Sequence, residues 1–132
     1  VVLDPTTHVA TIVSGGHGSP LLYRADSGEV VEAMPKAIGG PPLGMLEGLD
    51  FESYQVTLQP GESLVLFTDG VNESMNVKGE EFTMQGVERV VKAVGKSGPK
   101  AIVDRLIAAI KQHAAGREPH DDITIVVLSR RA

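Results

Sequence analysis

The sequence predicts an α+β fold in which an antiparallel β-sheet is layered with α-helices. Three observations predict it. Short apolar runs rich in β-branched residues, separated by Gly, Pro, Asp and Ser, fill the first half of the 132-residue chain. From Phe82 the apolar residues recur at helical spacing. A last run, "ITIVVL" at 123–128, returns to strand character.

The elements follow in order. "THVATIVSGG" is β-rich, with apolar residues on both faces (Val9 and Val13, Ala10 and Ile12), as in a sheet covered on both sides. "PLLYRADSGEVVEA" predicts a hairpin, because Asp and Gly in "ADSG" suit a tight turn. "PKAIGGPPLGML" holds too much Gly and Pro for regular structure and predicts a loop. "FESYQVTL" alternates as a half-buried strand, "QPGE" turns the chain, and "SLVLF" is the next strand; together they predict an antiparallel pair. Met84, Val87, Val90, Val91 and Val94 mark one helix, with Glu80 and Glu81 expected at its start, where acids favour the dipole. "GKSGP" ends that helix and starts another at Pro99, whose apolar face is Ile102, Leu106, Ala109 and Ile110 and whose stop is Gly116.

Bulk properties bound the function. The length suits one domain, or part of one, over residues 1–132. A hydrophobic fraction of 42% argues for a packed core. A formal charge of −5 without any Lys/Arg cluster speaks against nucleic acid, and no apolar run is long enough to span a membrane. The absence of cysteine removes disulfides and thiolate zinc sites. The cytoplasm is the default expectation. The chain opens "VVLDP" without Met, which reads as a piece whose natural start lies upstream.

Two acidic positions stand out. Asp69 in "FTDGV" follows one apolar strand, and Asp121 in "HDD" precedes another. Carboxylates beside a core need water, a counter-charge or a metal. If the two strands run antiparallel, both acids reach the same sheet edge, where neighbouring strands lie under about 5 Å apart. Asp122 is expected to point to the opposite side from Asp121. Oxygen donors without thiolate favour Mg²⁺ or Mn²⁺ over zinc. Taken singly, each site is explained better by turn chemistry than by a metal, since Asp-Gly is a common turn dipeptide; together, flanking two apolar strands, they are more suggestive.

Five blocks carry a family resemblance. "SGGHGSPLLYR", "PPLGM", "LQPGESLVLFTDGVNES", "GEEF" and "DDITIVVL" together resemble the metal-dependent (type 2C) protein phosphatases, in the bacterial branch typified by the stage II sporulation protein E phosphatase. They occur in family order from about residue 5 to residue 128. The resemblance implies part of an αββα sandwich. It also implies a hydrolase that removes phosphate from phosphoserine or phosphothreonine using water activated by two Mn²⁺ or Mg²⁺ ions. Asp69 matches the metal-binding Asp of the Thr-Asp-Gly motif, and Asp121 the ligand of the Asp-Asp-Ile-Thr motif. No nucleophilic side chain is required. The implied substrate is a phosphorylated regulatory protein, such as an anti-sigma-factor antagonist.

Departures from the pattern qualify that expectation. Ser14 stands where relatives usually carry Asn, Asp122 where they often carry Asn, and Thr83 where they often carry Gly. No Gly-Asp dipeptide occurs, so the ligands expected from the family's N-terminal half are absent. The chain thus resembles the C-terminal half of the domain, with a sheet face or edge free for self-association. The alternative reading is a truncated or degenerate phosphatase fold that binds a regulator without hydrolysis. Gly70, His17, His120 and Asp122 are the remaining candidates for the edge of the site. His17 reads more readily as a solvated residue of a Gly-rich turn than as a ligand, and His120 more readily as an exposed loop residue than as a donor to the site. His8 and His113 have no partners in sequence. "GKSGPK" is not a phosphate-binding loop, because Val90 stands where that pattern needs Gly. "GGPPLG" reads equally as a shaped loop flanking a substrate groove and as a plain connection.

Overall fold

A computed structural model describes all 132 residues. The strands are β1 (Val2–Asp4), β2 (Val9–Val13), β3 (Leu21–Tyr23), β4 (Val30–Glu32), β5 (Ser53–Thr57), β6 (Ser63–Phe67) and β7 (Ile125–Ser129). The helices are α1 (Asp69–Asn72), α2 (Met84–Val94) and α3 (Pro99–Ala114). The strands form two antiparallel sheets, ordered β1-β2-β5 and β4-β3-β6-β7. The α2–α3 hairpin covers the outer face of the second sheet, giving three layers in the order sheet, sheet, helices.

Strand alternation explains the two cores. In β3 and β6, Leu22 and Leu64 face the first sheet, where they meet Ala10, Ile12 and Val56. The intervening Leu21, Tyr23 and Val65 face the helices and meet Val87, Val91, Ile102, Leu106 and Ile110. Thus "LVLF" within β6 is apolar without a break because both faces of the strand are covered. Each fully buried Leu, Ile or Val contributes about 1.5–3 kcal/mol through lost apolar exposure.

Several expectations change. β5 and β6 are not a pair: β5 lies beside β2, and β6 lies between β3 and β7. The reason is burial. β6 needs cover on both faces, whereas β5 buries only Val56 fully and half-buries Tyr54, so it suits the outer sheet. The corner between them is fixed by Glu62, whose buried carboxylate accepts the Gln59 N–H at 2.9 Å and pairs with Arg24 at 3.2 Å. β2 is covered on one face only. Ala10 and Ile12 are buried, while Val13 on the other face is 50% exposed. β1, which the sequence pattern did not reveal, pairs with β2 and ends in a turn where the Asp4 carboxylate accepts the Thr6 N–H at 2.8 Å. That bond, with those from Thr7, holds the Asp4 carboxyl below its usual range.

Helix α2 begins later than the acids expected at its start. Glu80 and Glu81 lie in the preceding turn, and Thr83 is the cap, its hydroxyl accepting the Gly86 N–H at 3.3 Å. Backbone bonds from Phe82 to the Ser74 carbonyl and from Thr83 to the Asn72 carbonyl pin this corner. They hold Thr83 at φ 70, ψ 160, a region populated almost only by glycine and costing about 1–3 kcal/mol. Thr83→Gly is therefore expected to stabilise the protein by about 1 kcal/mol. Strain relief outweighs a cap loss of a few tenths and glycine's entropy cost of about 0.5–1 kcal/mol. Thr83→Ala keeps the strain, loses the cap and is expected to destabilise by about 1 kcal/mol. Urea midpoints that fall in both variants would show that Thr83 is unstrained.

Candidate functional site

The site is built where β6 and β7 meet. Phe67 opposes Ile125 in the antiparallel register, so the chain leaving β6 and the chain entering β7 lie side by side. Thr68 staples them. Its N–H donates to the Thr124 carbonyl at 3.1 Å, its hydroxyl donates to the Asp122 carbonyl at 3.0 Å, and the same hydroxyl accepts the Thr124 N–H at 3.0 Å. The Asp-Gly dipeptide is not a plain turn. Asp69 opens the one-turn helix α1, with Gly70 buried behind it.

Gly70 sits directly against the opposing segment. A Cβ there would collide with the Asp122 carbonyl oxygen and lie 3.4 Å from that of Asp121. Asp69 and the Asp121–Asp122 pair thus share one end of the sheet, as antiparallel strands require. The acids are not buried: all three are exposed and so keep their water. Asp69 Oδ1 accepts the Gly70 N–H at 3.0 Å, and Asp121 Oδ1 accepts the Asp122 N–H at 2.7 Å. None of the three belongs to the four ion pairs of the chain, so no cation of the protein answers their charge.

A groove of about 810 Å³ runs beside this edge. Thr68, Asp69, Asn72 and Thr124 line it together with Ser14, His17 and Lys36 from the loops that follow β2 and β4. His17 is exposed, and the turn that carries it is closed by the buried Ser14, whose hydroxyl donates to the His17 carbonyl at 2.6 Å. The structure therefore brings His17 and Asp69 to one groove. His120 is exposed and lies outside that lining. His113, expected to have no partner, is half-buried: its Nε2 contacts the Glu80 carbonyl at 2.9 Å and its ring meets Phe82 edge-on at 5.5 Å. The sequence reading missed Thr68 and Asn72; their position beside Asp69 in "FTDGVN" was the available signal.

The donors fit a hard cation in kind but fall short in number. Carboxylates without thiolates suit Mg²⁺ or Mn²⁺, yet no three carboxylate or imidazole groups converge on one point. Asp69 and Asp121 could supply two ligands, leaving the others to water, phosphate oxygens and residues outside this chain.

Comparisons with known proteins agree with this architecture. The model of the family described as "Stage II sporulation protein E (SpoIIE)" matches residues 1–131. Protein IcfG of a Synechocystis species is 30% identical over 129 residues, which is 98% of this chain and 20% of that protein. Phosphoserine phosphatase RsbU of Bacillus subtilis is 28% identical over 127 residues, covering 94% of this chain and 36% of its own length. The chain thus spans well under half of the curated relatives it matches. Among solved structures, the phosphatase domain of the Bacillus subtilis cell fate determinant SpoIIE, presoaked with Mn, superimposes with a TM-score of 0.73 at 19% identity. The match covers 98% of this chain and 54% of that one, and at that identity it shows the fold alone. With a family match along almost its whole length and the β6–β7 edge carrying the Thr-Asp-Gly and Asp-Asp-Ile-Thr segments, the chain belongs to the stage II sporulation protein E family.

Proposed function

We propose that this chain supplies half of the catalytic site of a metal-dependent protein-serine/threonine phosphatase. The observation that carries the reading is the meeting of Asp69 and Asp121 at one sheet edge, stapled through Thr68 and free of any protein counter-charge. In this reading Asp69 and Asp121 hold Mn²⁺ or Mg²⁺ and act as ligands rather than bases. When bound, such ions lower the pKa of a coordinated water and neutralise charge on the phosphoryl oxygens. The chain's own part is to hold the two carboxylates in register and to offer Asn72 and His17 as hydrogen-bonding groups in the same groove. RsbU of Bacillus subtilis is a phosphoserine phosphatase, and phosphoserine on a cytoplasmic regulatory protein, such as an anti-sigma-factor antagonist, is the corresponding substrate class here.

A second reading draws on the shortage of ligands: with no three acidic or imidazole groups gathered at one point, the fold could bind a phosphorylated regulator without hydrolysing it. Phosphate release from a phosphoserine peptide, measured in the intact protein with Mn²⁺ and again with chelator, separates the two. The phosphatase reading expects release that needs Mn²⁺ and stops on chelation. Mn²⁺ binding without any release favours the binding module, and release indifferent to chelator rejects both.

A further inference from the structure

Charge is unevenly distributed over this acidic chain. Residues 84–114, which form the helical layer, carry six Lys and Arg against two acids, a formal +4. The remaining residues carry six against fifteen, a formal −9. The acidic side includes the Asp69 edge. The basic side is the outer layer, where α2 and α3 lie side by side.

Between these helices runs an open groove of about 310 Å³. Phe82, Val90, Ala93 and Ala109 give it an apolar lining, and Arg89 of α2 and Arg105 of α3 line it with them. Phe82 is buried and Val90 and Ala109 half-buried, so they make the floor; both arginines are exposed. Neither arginine takes part in an ion pair. The helical layer's other charges are partly answered, Lys92 by Glu29 at 3.5 Å and Lys100 by Asp104. No Asp or Glu lines the groove.

We infer that this groove docks an acidic amphipathic helix of a partner protein, a surface separate from the Asp69 site and independent of how that site is read. Apolar side chains of the incoming helix, such as Leu, would enter between α2 and α3, as in helix-in-groove recognition. Its carboxylates would meet Arg89 and Arg105, whose planar guanidinium groups suit two-pronged bonding to carboxylate. An anionic membrane is disfavoured by shape: the surface is concave, and Ile107 is the exposed large aliphatic residue of the helical hairpin.

The test uses a fluorescent, capped peptide of about 15 residues, long enough to be helical, built of Glu and Ala with Leu at helical spacing. Fluorescence anisotropy with the intact protein is expected to show saturable binding that weakens with salt. The double variant Arg89→Glu/Arg105→Glu is expected to bind at least tenfold more weakly with an unchanged thermal melt, and to bind a peptide carrying Lys in place of Glu. Should the charge-reversed pair unfold, Arg89→Ala/Arg105→Ala replaces it, with the same loss expected for the Glu peptide. Equal binding by wild type and variants would overturn the inference. So would undiminished binding of a peptide with Ser in place of Leu, which needs no groove, or Arg89- and Arg105-dependent binding to phosphatidylserine vesicles with none to the peptide.

Discussion

Asp69→Asn and Asp121→Asn are each expected to bring Mn²⁺-dependent phosphate release down to background and to weaken Mn²⁺ binding by at least about 100-fold, or about 2.8 kcal/mol. Each substitution removes a full negative charge from a donor while keeping its size. Loss of a group that merely orients a metal ligand already costs about 10–100-fold, and loss of the charged ligand costs more. Folding is expected to survive, because both carboxylates are exposed and bond only to the neighbouring N–H. Asp122→Asn is the internal control. Its carbonyl takes part in the Thr68 staple but its carboxylate takes part in no hydrogen bond or ion pair, so its effect is expected to stay within a few-fold. Calorimetric titration with Mn²⁺ reads all three. Unchanged isotherms in the first two variants would remove the metal assignment; a loss in Asp122→Asn equal to that in Asp121→Asn would mean that the roles of the two are exchanged.

Gly70→Ala is expected to destabilise the protein by about 2 kcal/mol or more and to damage the site with it. A methyl at a helical position would by itself gain about 1 kcal/mol over glycine. Here it meets the backbone carbonyl of Asp122, which cannot swing aside as a side chain can. Overpacking of this kind costs about 1–3 kcal/mol. The relief available is to push residues 121–124 away, which breaks the Thr68 bonds to Asp122 and Thr124 at about 1 kcal/mol each. The clash and the lost bonds exceed the helical gain. Against a total stability of about 5–15 kcal/mol the shift is easily read in a denaturant melt. A variant as stable as wild type, with Mn²⁺ affinity unchanged, would show that the two segments are not held in contact.

The readable parts of the fold are those whose signal is local. α2 and α3 followed from Val87, Val91, Leu106 and Ile110 at helical spacing, and β6 from an unbroken apolar run. Asp69 and Asp121 could be brought together because only the ends of two strands and an antiparallel relation were needed. The pairing of β5 with β2 was hidden, since a short turn such as "QPGE" looks the same whether it closes a hairpin or crosses between sheets. The better clue was the difference between alternating β5 and doubly apolar β6. The role of Thr68 depends on carbonyl and amide groups 54 and 56 positions away, to which side-chain patterns are blind. The start of α2 was misplaced because acids near a helix usually sit inside its first turn; here backbone bonds from residues 82 and 83 back to 74 and 72 delay it. His113 acquired its role from a carbonyl 33 positions earlier.

The register that sets Phe67 opposite Ile125 also bears on how the chain folds. Bringing these residues together in an unfolded chain closes a long loop, and that entropy is lost before any ladder bond forms. The α2–α3 hairpin lies wholly inside the loop and draws its ends together once the helices form. Strand pairing should therefore wait on helix formation, so that a glycine placed in an exposed position of α3 slows the joining of β6 to β7 as well as weakening the helix. The last contacts to form would be those that align Asp69 with Asp121, and a chain arrested before that step would hold its helices yet lack a site.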